Sequence, residues 1–154
     1  MEKLRVAMYC RVANKETTKE DSAIEVQKKM LNDYLKNNVK GIKFREFYID
    51  NGFSGTNYNR PEFRRMIKDI EENRINTIIV KDLVRFGRTN NTLQRIDGLK
   101  KKYNINFISV VDNIDSLKNQ DEFEKSILIS NLMNVWYKND LKKRREVQRK
   151  MKGR

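Results

Sequence analysis

Short apolar runs alternate along this chain with longer segments whose apolar residues recur every three or four positions. Leu4 to Cys10 (LRVAMYC) is a nearly continuous apolar run of strand length, the pattern of a strand covered on both faces. Residues 76–80 (NTIIV) and 105–111 (INFISVV) predict two further strands of that kind. Residues 43–50 (KFREFYID) carry interleaved polar positions and predict a strand near a sheet edge. Between these runs, Ile24, Leu31, Tyr34 and Leu35 form a helical stripe, opened by Ser22 and Glu25 in the spacing of a capping box. Pro61 opens the next helix, where Phe63, Met66, Ile67 and Ile70 follow the i, i+3, i+4, i+7 pattern. Leu93, Ile96 and Leu99 mark another. Residues 51–59 (NGFSGTNYN) are rich in turn formers and predict a loop, and 81–91 (KDLVRFGRTNN) a charged loop containing a helical turn.

Strand and helix thus alternate at a spacing of roughly 30 residues, the signature of βα units on a parallel sheet. The expected architecture is α/β, a mainly parallel sheet of four to five strands with flanking helices over residues 1–118. The pattern changes at 119–154. No glycine or proline interrupts the chain from Asp121 to Gly153, which predicts one helix of about 30 residues, roughly 45 Å long. Phe123, Ile127, Leu128, Ile129, Leu132, Met133, Val135, Trp136 and Tyr137 cover too wide an arc for one buried face. The first half of this helix is therefore expected to be buried on more than one side, by a partner chain as well as by its own domain. A helix sunk in its own domain is the alternative. The second half is expected to project alone.

Composition narrows the chemistry. The 154 residues suffice for one domain with a proper core. There is no histidine and one cysteine, which removes nearly all zinc-site designs and the histidine-based triads. No apolar run approaches the length of a membrane span, and the start lacks a signal peptide's layout, so a cytoplasmic protein is expected. The net charge is +13, and residues 138–154 alone hold nine Lys or Arg against two Asp or Glu. A basic end of this density, with Lys142, Lys143, Arg144, Arg145 and Arg149 at its centre, seeks a polyanion, and duplex DNA is the expected one. The alternative is a solvated, frayed helix end.

Ligands on parallel sheets bind at the carboxyl ends of the strands. Arg11, Arg60, Arg85 and Arg88 fall at such ends. If they converge, their planar forks make a strong site for phosphate oxygens without any metal. Gln27 lies on an apolar helical stripe, where it either orients a phosphate or is satisfied within the fold. Cys10 shares the face of Leu4, Val6 and Met8 and is assigned to the core. The glycines of NGFSGT match no phosphate-cradling fingerprint. Asp112 and Asp115 are weak evidence for a metal, and no metal or cofactor is expected.

Together these residues resemble the catalytic domain of the serine recombinases, the resolvase/invertase family. YCRVANKE (9–16) resembles that family's Y-x-R-V-S opening, and EVQKKML (25–31) the helix carrying its glutamine. YIDNGFSGTNYNRPEFRRM (48–66) resembles the loop and helix that carry an active-site arginine, here Arg60. IVKDLVRFGR (79–88) resembles the element carrying two more, here Arg85 and Arg88. FEKSILISNLMNVWYKNDLKKRR (123–145) resembles the start of the long helix used for dimer and tetramer contacts. The wording is nearest to the large serine recombinases of transposons and phages. The resemblance implies a resolvase-like fold and a cofactor-free reaction on duplex DNA. A serine attacks the scissile phosphate, forming a 5′-phosphoserine link and freeing a 3′-OH, while arginines neutralise the pentavalent phosphate. Tyr9 and Gln27 would support the site.

Two departures stand out. Ala13 occupies the serine position of the motif, so the attacking oxygen is absent and the covalent route is closed. Val84 stands where an Asp or Ser is expected. Ser22 is committed to a helix cap and offers no replacement. Family members also add a DNA-binding domain beyond the basic helix end. The implied function is a site-specific recombinase catalytic domain inactive in cleavage. The alternative is a non-catalytic, recombinase-like DNA-binding or oligomerising regulator.

Overall fold

The computed structural model describes residues 2–18, 20, 22–87 and 92–153, and of Ser130 the backbone alone. The elements follow in the order β1 (Leu4–Val12), α1 (Ala23–Asn38), β2 (Ile42–Asn51), α2 (Pro61–Glu71), β3 (Thr77–Val80), α3 (Leu83–Phe86), α4 (Thr92–Tyr103), β4 (Asn106–Ser109), β5 (Ile114–Asp115) and α5 (Gln120–Lys152). The sheet order is β2-β1-β3-β4-β5. The first four strands run parallel, and β5 is a short antiparallel addition to β4. Strand β2 is the edge that its polar pattern predicts.

Alternation along β1 divides the core into two layers. Val6, Met8 and Cys10 pack with Leu31 and Leu35 of α1 on one face. Ala7 and Tyr9 pack on the other with Phe63, Met66, Phe86, Ile96 and Phe107, under α2, α3 and α4. A strand buried on both faces needs a continuous apolar run, which is why LRVAMYC has one. Ser22 caps α1 by accepting from the Glu25 amide at 3.2 Å. Strand β4 ends at Ser109, two residues before its apolar run does, because residues 110–113 turn back, with Asn113 at φ 55°, to lay β5 against it.

Helix α5 is the single long helix that the unbroken run after Asp121 predicts. Its 33 residues span about 50 Å. Only Phe123 and Ile127 of its apolar arc are buried in the domain. Leu128, Ile129, Leu132, Met133, Val135, Trp136 and Tyr137 are each exposed by 46 to 64%. The single chain therefore does not bury the first half of this helix on more than one side, nor is the helix sunk in its domain. Its apolar burial is confined to the first two turns, and Gln94 of α4 donates to Asn131 about one turn further on.

Candidate functional site

The carboxyl edge of the sheet is built around two buried guanidinium groups. Arg11, the penultimate residue of β1, shares the face of Ala7 and Tyr9, so its side chain extends toward α2 and α3. It is fully buried. Its Nε donates to the carbonyl of Arg85 at 3.0 Å, Nη1 to that of Phe53 at 2.9 Å, and Nη2 to that of Val84 at 2.6 Å. Arg60, immediately before Pro61, is 1% exposed. Its Nε donates to the Asn57 carbonyl at 2.9 Å and Nη2 to that of Phe86 at 2.5 Å. Its Nη1 donates both to the Tyr9 hydroxyl at 2.8 Å and to the Arg85 carbonyl at 3.2 Å. Arg85 completes the group. Its Nη1 donates to the Arg11 carbonyl at 3.0 Å and its Nε to Asp82 at 3.2 Å, and its side chain keeps 21% exposure. The fold therefore gathers Arg11, Arg60 and Arg85 at one edge. Arg88 lies outside the described residues.

Gln27 reaches the same strand end from α1. Strand β3 ends at Val80, opposite Tyr9, so the main chain of Arg11 has no strand on that side. Gln27 of α1 takes its place. Its Oε1 accepts from the Arg11 amide and its Nε2 donates to the Arg11 carbonyl, both at 3.1 Å. Both polar ends of this buried side chain are thus engaged within the fold, on the main chain of Arg11.

Asp50, at the end of β2, is a site residue that the sequence reading passed over. It is 1% exposed and accepts from the Tyr9 hydroxyl at 2.7 Å and from the amides of Glu62 and Phe63 at 3.0 and 2.9 Å. Helix α2 begins with Arg60 at its N-cap, whose side chain makes no cap hydrogen bond, so its first amides need an acceptor from elsewhere. That missing cap, with a carboxylate at the end of the preceding strand, was the available signal. Burial is the main reason the Tyr9 phenol is pushed well above its ordinary value. The Arg60 charge opposes this, and the bond to Asp50 reinforces it.

Ala13 sits just beyond β1 and is exposed, as are Asn14 and Lys15. The turn after β2 depends on Gly52, at φ +89°, where an added Cβ would meet the Lys15 Cβ at 3.0 Å. This close passage leaves Phe53 placed to offer its carbonyl to Arg11. Rings surround the polar group: the Arg60 Cζ lies 4.4 Å from the Phe63 ring centroid and 5.2 Å from that of Tyr58. Phe63 meets Phe86 at 5.1 Å, and Phe86 meets Phe107 at 5.6 Å.

The remaining candidates are placed elsewhere. Cys10 is buried on the α1 face, where burial pushes its thiol up to about 12. Asp112 accepts from the Leu83 amide and the Ser109 hydroxyl, and Asp115 from the Tyr34 hydroxyl and two turn amides. Among the described residues no group of three or more acidic or cysteine side chains stands ready for a metal ion. No helix among them is long and apolar enough to cross a membrane. Lys142, Lys143, Arg144, Arg145 and Arg149 are all exposed on α5, far along the chain from the arginine group. Arg144 pairs with Asp140 at 2.8 Å.

Comparison with known proteins accords with this arrangement. The family described as resolvase, N terminal domain, matches residues 6–153. The chain belongs to that family, a family of serine recombinase catalytic domains. The N-terminal catalytic domain of TP901-1 integrase is similar in structure at a TM-score of 0.74 and 29% identity, over 88% of this chain and 97% of that one. A resolvase family site-specific recombinase from Streptococcus pneumoniae shares the fold at a TM-score of 0.70 and 24% identity, over 99% of each chain. An uncharacterised immunity region protein 3 of Bacillus phage phi105 is 36% identical over 67 residues, 44% of this chain and 79% of that protein.

Proposed function

We propose that this chain is a recombinase catalytic domain that holds a DNA phosphate but cannot cut it. The observation that carries this reading is that Ala13 lies exposed just past β1, two residues after Arg11, which the fold gathers with Arg60 and Arg85. In the family's reaction a serine oxygen attacks the phosphate and the arginines balance the charge of the transition state. A methyl group at position 13 supplies no attacking oxygen. Arg11, Arg60, Arg85 and Arg88 are the phosphate ligands in this reading, with Tyr9 and Gln27 in support. The exposed apolar stripe from Leu128 to Tyr137 pairs with a second copy of the chain, since so much bare apolar helix is costly in water. The basic end of α5 grips duplex DNA through its phosphates.

DNA binding is tested by salt titration. Five phosphate contacts from Lys142, Lys143, Arg144, Arg145 and Arg149 give a log–log slope of about −4.5, independent of sequence. Association unaffected by a several-fold rise in salt would contradict this role.

A second reading is a non-catalytic regulator that works by pairing and DNA binding. Ala13 favours it, as does the partial identity with a phage immunity region protein. A source gene with an alanine codon at position 13 supports this reading. A serine codon there supports a disabled enzyme instead.

A further inference from the structure

Every nitrogen of the Arg11 and Arg60 guanidinium groups donates to an oxygen of the chain itself. Three of the acceptors are consecutive carbonyls, those of Val84, Arg85 and Phe86, which belong to the single turn of α3. Both arginines are at most 1% exposed. A phosphate therefore cannot reach either fork while α3 stays where it is.

We propose that α3 is an autoinhibitory latch, whose carbonyls occupy the forks of Arg11 and Arg60 and must withdraw before a phosphate binds. The proposal rests on the reading of these arginines as phosphate ligands. The chemistry favours such an exchange. A carbonyl is a neutral acceptor, whereas a phosphate carries charge and can take a guanidinium fork through two parallel hydrogen bonds, adding an ion pair to the bonds it replaces. The latch is also short enough to move as a unit. Its N-terminus is held by two carboxylates, Asp82 accepting from the Arg85 amide at 3.1 Å and Asp112 from the Leu83 amide at 2.7 Å. Its far end is held by Phe86, buried between Phe63 and Phe107. Asp112 is exposed and belongs to the turn after β4, so it restrains α3 without touching either arginine fork.

The test is a titration with inorganic phosphate at constant ionic strength, followed through the Nε–H NMR signals of Arg11 and Arg60. It compares the parent with Asp112→Ala and, as a milder variant, Asp112→Asn. Hydrogen exchange at the Arg85 and Gly87 amides reports the opening of α3 independently. Removing the Asp112 cap raises the fraction of open latch, and the apparent affinity rises in proportion, by roughly tenfold. The proposal predicts faster exchange at both amides together with that gain in affinity. Phosphate binding of equal strength in all three proteins, with α3 opened in the variants, overturns the latch and leaves the phosphate reading standing. If α3 opens and neither arginine signal responds to phosphate, the phosphate reading itself fails, and the latch with it.

Discussion

Arg11 and Arg85 hold each other through their main chains. Arg11 Nε donates to the carbonyl of Arg85, and Arg85 Nη1 donates to the carbonyl of Arg11, both at 3.0 Å. The residues lie 74 positions apart, so this pair ties the end of β1 to α3. Hydrogen bonds to charged groups contribute about 1.5–3 kcal/mol each. Each bond joins one side chain to the other residue's main-chain carbonyl, so Arg11→Ala and Arg85→Ala remove separate bonds. Arg85→Ala should cost about 1.5–3 kcal/mol in urea unfolding, and an unchanged midpoint would show that its bond to the β1 end contributes nothing.

Gln27 is predicted to act through folding and positioning. The substitution Gln27→Leu keeps an apolar contact on α1 but leaves the Arg11 amide without its partner. Stability should fall by about 1–3 kcal/mol, the cost of an unsatisfied buried donor. The Arg11 Nε–H signal should shift in the same variant. An unchanged urea midpoint would show that the strand end needs no such clamp.

Asp50 is the more severe case. Replacing it with alanine uncaps α2 and frees the Tyr9 hydroxyl in one step, an expected loss of about 2–4 kcal/mol. Asp50→Asn keeps one acceptor oxygen and should cost less than alanine. Equal stability of the alanine variant and the parent would mean that Arg60 and Pro61 start α2 without help.

Tyr9 gives the account a pH signature. Its folded value is raised above the ordinary 10.0, chiefly by burial, so the folded protein holds this proton where the unfolded chain releases it. The stability linked to this group is complete below pH 10 and is lost as pH rises from there toward the folded value, at about 1.4 kcal/mol per pH unit. Burial and a carboxylate partner raise Tyr34 and Tyr48 too, so three of the six tyrosines should titrate late, Tyr9 only with unfolding. Tyr9→Phe reduces that late component by one tyrosine. A single titration of all six near pH 10 would contradict the buried Tyr9–Asp50–Arg60 chain.

Much of the fold is legible in the sequence because its elements bury regular faces. The unbroken apolar run of β1 requires cover on both sides, and the Phe63–Ile70 stripe of α2 supplies part of it. The gathering of arginines at the strand ends is legible too, since parallel topology directs those ends to one edge. Their hydrogen-bond acceptors are not. Main-chain carbonyls such as those of Val84, Arg85 and Phe86 are offered by any residue type, so no pattern of side chains announces that they close the forks. Gln27 leaves its role open for the same reason, because its partners are the amide and carbonyl of Arg11. The apolar arc of α5 shows that something must cover it, but length and periodicity do not reveal that the domain itself uses only Phe123 and Ile127.

The central claim is that the chain retains its phosphate-binding surround and lacks only the attacking oxygen. The direct measurement is covalent capture of DNA by the Ala13→Ser variant, fused after Arg154 to a DNA-binding domain and offered a duplex bearing its target site. The account predicts a protein–DNA adduct that survives detergent, disappears on protease treatment and leaves a free 3′-OH, with none formed by the Ala13 parent. An adduct formed by the parent, or none by the serine variant while it binds the same duplex, would contradict it.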